Sequence, residues 1–121
     1  MDQKLKFGFI VEYVKDIKAA RMFYVETLGL VVEREHPTYI QFETFAIATD
    51  EPMGGETNQE LYWLVNDANI AFSSLSDSDD ICLPLKQMPF GKVFGVRDPD
   101  GKPRYILELA NNRPSKEVNS A

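Results

Sequence analysis

A chain of 121 residues with 44% hydrophobic and 26% charged side chains carries the mixture expected of one globular core. Thirteen Lys plus Arg against 19 Asp plus Glu leave a net charge of -6, which argues against nucleic acid or an anionic membrane as a partner. The opening residues, MDQKLKFGFIVEYVKD, set charges on both sides of a short apolar run, so they read as neither a signal peptide nor a membrane span, and a cytoplasmic protein is expected. The single cysteine, Cys82 in the run ICLPL, has no internal disulfide partner and reads as a small packed hydrophobe, with a nucleophile as the alternative.

Lys6 to Val14 alternates as a strand, with Phe7, Phe9, Val11 and Tyr13 on one face and Gly8, Ile10, Glu12 and Val14 on the other; Glu12 is the misfit on its face. Asp16 then stands where a helix N-cap belongs and Gly29 where a left-handed C-terminal cap belongs. Between them Ile17, Ala20, Phe23, Tyr24, Thr27 and Leu28 recur at spacings of three and four, which predicts one helix with an apolar stripe laid on a sheet. Val31 to Glu35, Thr38 to Glu43 and Phe45 to Thr49 read as three short strands, the first two parted by His36-Pro37. His36, the sole histidine, reads as a solvent-exposed turn residue, with a proton shuttle as the outsider.

Asp50 to Gln59, DEPMGGETNQ, is the clearest linker, and after it the plan repeats. ELYWLV from Glu60 is a strand, Asn66-Asp67 a cap, and Ala68, Ala71, Phe72 and Leu75 the stripe of a shorter helix. An offset of 51 residues sets Val14 on Val65, Asp16 on Asp67, Ala20 on Ala71 and Tyr24 on Leu75, the mark of two copies of one unit. Ile81 to Leu85, Lys92 to Val96 and Arg104 to Leu109 supply three more strands, while Asn111 to Ala121 reads as a polar tail with little to bury. Phe90, Gly91 and Lys92 mark a strand entrance that is either a lid or a connector. DPDG, Asp98 to Gly101, is a turn whose aspartates bond nearby amides, and too few carboxylates succeed it for a calcium loop.

These residues resemble the vicinal oxygen chelate superfamily of glyoxalases, bleomycin-resistance proteins and extradiol dioxygenases. The resemblance covers about residues 7 to 109 and rests on VKDIKAARMFYVETLGL and on the DPDG before the final E-L strand. It implies an α+β fold of two βαβββ modules whose sheets curl around a shared cavity, with the helices outside. On this plan residues 1–110 form a single domain, with module one at about 6–49, a linker at 50–59 and module two at about 60–110, and the tail 111–121 comes last.

The resemblance also implies a divalent metal held by His and Glu from the first and last strand of each module. Carried over position by position, the first donor falls on Phe9 and the second within Ala46, Ile47 and Ala48, of which Ala48 is the preferred match; none of these can bind a metal. The third falls on Glu60 and the fourth on Glu108, so two of four donors are kept and no metal or other cofactor is expected, with a divalent metal as the alternative.

Sheet alternation gives a cavity face of Phe9, Val11, Tyr13, Glu60, Tyr62, Leu64, Arg104, Ile106 and Glu108. Phe9, Val11, Tyr13, Glu60, Tyr62, Arg104 and Glu108 are the candidate ligand-binding residues, and Glu60 and Glu108 the candidates for acid–base catalysis. Two acids against one base hint at a cationic or amine-bearing ligand, whereas Arg104 paired with the glutamates would be purely structural. The chain therefore reads as a metal-free small-molecule binding or sequestering protein and, as this family's resemblance implies, a homodimer. The alternatives are a glyoxalase- or dioxygenase-like enzyme with an altered metal site, for which inactivity of Glu108→Gln is expected, and a structural or regulatory protein with a filled cavity.

Overall fold

The computed structural model describes residues 4–53, 59–77 and 79–110, and the predicted tail 111–121 and most of the linker's glycine-containing part lie outside them. Within the described residues the chain is α+β, with eight strands and two helices. They are β1 (Lys6–Tyr13), α1 (Ile17–Met22), β2 (Arg34–His36), β3 (Tyr39–Gln41), β4 (Phe45–Ala48), β5 (Gln59–Leu64), α2 (Ala68–Leu75), β6 (Ile81–Met88), β7 (Gly91–Arg97) and β8 (Pro103–Leu109). Among the described residues two compact units result, Phe7–Trp63 and the residues from Leu64 onward together with those before Phe7. Most of β5 therefore lies in the first unit, although the sequence plan opens the second module at Glu60.

In the first unit the strand order is β2-β3-β4-β1-β5. β1 runs parallel to β4, and β2–β3 and β3–β4 are antiparallel. One face of this sheet is covered by α1, around Ile40, Phe42 and Ile47 with Val14, Ile17, Ala20, Tyr24 and Val25 packed against them. Asp16 caps α1 as its position predicts, accepting from the amides of Lys18 and Ala19 at 3.0 and 3.1 Å.

The apolar stripe departs from expectation after Met22. Residues Phe23–Thr27 form a π-helical turn, in which the Leu28 amide donates to the Phe23 carbonyl at 3.0 Å, five residues back. The wider turn shifts the helical phase, so Tyr24 and Val25 face the sheet while Phe23, 47% exposed, and Leu28 face outward. Tyr24 is the anchor, with its ring 4.9 Å from that of Phe45 and 5.9 Å from that of Phe42. Gly29 then takes the expected positive φ of 77°, and the Leu30 amide closes on the Tyr24 carbonyl at 2.9 Å. The strand predicted from Val31 begins only at Arg34. Leu30 and Val32 are drawn into the helix-side cluster and Val31 points to solvent, and the Glu33 amide is the first to reach across, to the Gln41 carbonyl at 2.8 Å.

The second unit repeats the helix entry. Asp67 caps α2 through the Ile70 amide at 3.0 Å, with a backbone at φ -141°, ψ 102° against -130°, 104° at Asp16. Its strands run β8-β7-β6, antiparallel throughout, over a core of Val93, Phe94, Tyr105, Ile106 and Leu107, and Phe72 of α2 meets Phe94 edge-on at 5.2 Å. Cys82 is half-buried and packs over Gly95, in keeping with a small hydrophobe. The segment before Lys92 is a connector, since Met88 pairs with Gly91 and leaves Pro89 and Phe90 as a tight hairpin turn. No helix among the described residues is long and apolar enough to cross a membrane.

Candidate functional site

The face of the first sheet opposite α1 gathers the predicted residues Phe9, Val11, Tyr13, Glu60 and Tyr62. Glu60 is 2% exposed. A buried carboxyl group persists only with hydrogen-bond partners. Two phenols supply them: the Tyr13 hydroxyl donates to Glu60 Oε1 at 2.7 Å and the Tyr62 hydroxyl to the same oxygen at 2.9 Å. Burial, followed by the Glu60 hydrogen bond and charge, pushes the Tyr13 phenol well above its ordinary value, so its proton stays in place across the physiological range. Phe9 lies flat on Tyr62, with ring centroids 5.0 Å apart and planes at 14°.

Strand register adds two residues that the alternation of β1, β5 and β8 alone does not reveal. Tyr13 pairs with Ala48 and Ala48 with Tyr39, while Val11 pairs with Ala46 and Ala46 with Gln41. Paired residues share a face, so Tyr39 and Gln41 stand beside the predicted set. The Tyr39 hydroxyl donates to Gln41 Oε1 at 2.7 Å and the Gln41 amide to the Glu43 carbonyl at 3.0 Å. The polar-apolar alternation Tyr39-Ile40-Gln41-Phe42 is the signal that marks them in the sequence, because Ile40 and Phe42 belong to the helix-side core.

Glu12 faces the helix side, paired with Ile47. There the Gln59 amide reaches it at 3.5 Å, and its charge, after burial, helps raise the Tyr24 phenol above its ordinary value.

The remaining predicted residues belong with the second unit. Ile106 is core. Glu108 Oε1 accepts from the backbone amide of Ala68 at 2.9 Å, which makes it a second cap on α2 beside Asp67. Arg104 on β8 pairs with Asp98 of the DPDG turn at 3.2 Å, not with the glutamates as the purely structural alternative had it. The turn is built as predicted: Asp98 Oδ1 accepts from the amides of Asp100 and Lys102 at 2.9 Å each, and Gly101 has φ 83°. Those two amides, together with Arg104 and Lys102, hold the Asp98 carboxyl below its ordinary value. His36 closes β2 and is exposed, as a surface histidine should be.

A structure described as that of an NAD-dependent benzaldehyde dehydrogenase from Legionella pneumophila matches 84% of this chain and 98% of its own at a TM-score of 0.69 and 26% identity. A glyoxalase/bleomycin resistance protein/dioxygenase superfamily member from Vibrio splendidus matches 88% of this chain and 98% of its own, with a TM-score of 0.64 and 21% identity. A variant of homoprotocatechuate 2,3-dioxygenase from Brevibacterium fuscum matches 94% of this chain over 35% of its own, at a TM-score of 0.62 and 16% identity. The chain has the vicinal oxygen chelate fold. No protein-family model and no curated protein matches the sequence.

The residues that the resemblance sets at the metal positions, Phe9, Ala48, Glu60 and Glu108, do not fit a divalent ion. Phe9 presents a stacked ring and Ala48 a methyl group, neither with a donor atom. Ala48 pairs with Tyr13, four residues and ~13 Å along β1 from Phe9, so these two positions do not share one level of the sheet. Glu60 is held by two phenols and Glu108 by a helix amide. Among the described residues no three His, Cys, Asp or Glu side chains gather as a metal cluster.

Proposed function

We propose that this vicinal oxygen chelate protein is a metal-free small-molecule binding or sequestering protein, whose ligand rests on the face of the first unit that carries Tyr13, Tyr39, Gln41 and Glu60. The observation behind this reading is the flat Phe9–Tyr62 pair, because a stacked hydrocarbon ring takes the place of the first metal donor and turns that position into an apolar wall. Aromatic walls with a few placed polar groups are the common composition of small-molecule sites. The activity named for the Legionella protein does not carry over, since this sequence has no glycine-rich loop to cradle a dinucleotide. A cytoplasmic homodimer is part of the proposal.

An enzyme is the second reading, favoured by the buried Glu60 carboxyl group, held at 2.7 Å by the Tyr13 hydroxyl, as a candidate acid–base group. With Glu108 engaged as a helix cap, Glu60→Gln is the variant that decides it: loss of turnover on a found substrate supports catalysis, and full turnover excludes it.

Native mass spectrometry of protein purified without chelator tests the principal reading. A dimer free of metal that retains or takes up a small molecule is expected. A divalent ion removed by EDTA would contradict the metal-free assignment. The absence of any small-molecule adduct or thermal stabilisation across a broad library would favour a filled cavity instead.

A further inference from the structure

The apolar stripe of α1 covers the first sheet, and the π-helical turn that follows leaves a second set of apolar side chains outside. Met22 is 63% exposed, Phe23 47% and Leu28 54%, and Val31, just beyond the turn at Gly29, is 77% exposed. Phe23 and Leu28 are neighbours, since the Leu28 amide closes on the Phe23 carbonyl. Large apolar side chains gathered in the open mark a surface that another molecule covers.

The sequence outside the described residues is too polar to cover it. Asn111 to Ala121, NNRPSKEVNSA, has Val118 as its one large apolar residue, and GGETN at 54–58 has none. The net charge of -6 argues against a membrane. Another protein surface remains, and the charges around the patch point to which.

Ile17–Met22 and Phe23–Thr27 run on as one helical segment, six residues and then five, whose middle residue is Met22. Lys18 stands one turn before Met22 and Glu26 one turn after it, both exposed. A spacing of four keeps all three on one side of the helix, with ~6 Å of axis between successive members. Among the described residues neither charge is in a salt bridge, because Arg21, the cation near Glu26, is held by Glu35 at 2.8 and 3.2 Å. When such a helix lies antiparallel on its own copy with the two-fold axis at Met22, Met22 meets Met22. Lys18 of each copy then faces Glu26 of the other. Ala19, small and exposed beside Lys18, lets the two helices come close. An apolar centre with a charged rim complementary to itself is what a two-fold interface requires, whereas an unrelated partner requires no such internal symmetry.

We propose that a second copy of this chain covers the outer face of α1 and the π-helical turn, in an antiparallel two-fold contact centred on Met22. This gives a surface to the homodimer of the reading above and rests on that part of it.

Sedimentation velocity of the full chain over a concentration series tests it. The wild type is expected to be a dimer. Met22→Glu sets two carboxylates on the axis and counts twice in a two-fold contact, so it is expected to raise the dimer dissociation constant ~100-fold. An unchanged near-ultraviolet circular dichroism spectrum is expected alongside, because Met22 is mostly outside the fold. Lys18→Glu is expected to weaken the dimer ~10-fold, and adding Glu26→Lys, which restores opposite charges across the axis, to recover most of that loss. The two positions lie ~12 Å apart along one helix, so a rescue reads a contact between copies. A dimer that Met22→Glu leaves intact, or a double variant no tighter than Lys18→Glu, overturns this surface and leaves the homodimer standing. A wild type that is monomeric at ~50 μM overturns both.

Discussion

Glu60 of the first unit and Glu108 of the second are the two acids that the family resemblance sets at metal positions, and their surroundings set them apart. Glu60 is buried and its Oε1 serves two tyrosine hydroxyls, one of them 47 residues away in the chain. Glu108 is half-buried and serves a backbone amide at the start of α2. One acid ties side chains together on a sheet face; the other finishes a helix. Two residues alike in type thus serve different structural roles, one in a side-chain network on a sheet face and one at a helix start.

Removing each acid should sharpen that contrast. Glu60→Ala strips the half-buried Tyr13 and the buried Tyr62 of a shared acceptor, and each orphaned polar group costs about 1–3 kcal/mol, so a loss of about 2–6 kcal/mol in urea unfolding is expected. Tyr13→Phe deletes only one charge-assisted bond, for which about 1.5–3 kcal/mol is expected. Glu108→Ala removes a helix cap while Asp67 remains, and about 1 kcal/mol is expected, similar to Asp67→Ala. If Glu108→Ala proved as costly as Glu60→Ala, the distinction between the two would fail.

The Tyr13 phenol also predicts a pH dependence with a definite sign. Its folded value lies above the ordinary 10.0, so the unfolded chain ionises first. The contribution is fully present below pH 10 and is lost as pH rises through the alkaline range toward the folded value. Urea midpoints of the wild type should therefore fall more steeply above that pH than those of Tyr13→Phe. Parallel curves would show that Tyr13 is not protected as its contacts require.

The features legible in the sequence are the ones fixed by neighbours a few residues away. Asp16 and Asp67 cap amides two or three residues on, and Gly29 and Gly101 take positive φ to end a helix and close a turn. Their 51-residue repeat survives into nearly equal backbone angles. The π-helical turn at Phe23–Thr27 was beyond such reasoning, because it results from Tyr24 seating against Phe42 and Phe45 some twenty residues later. Alternation placed Phe9, Val11, Tyr13, Glu60 and Tyr62 on one face, yet Tyr39 and Gln41 joined them only through the register of β3 on β4. The partners of Arg104 and Glu108 depended on a turn and a helix start reached through tertiary packing, which periodicity does not encode.

Metal content and thermal unfolding of the purified protein, before and after EDTA and again after incubation with manganese, zinc or nickel, test the central claim most directly. The account predicts no stoichiometric metal and an unfolding temperature that neither EDTA nor any of the three ions moves. A retained ion whose removal lowers that temperature, and whose return restores it, would contradict a fold held at this site by tyrosines and a carboxylate instead of a metal.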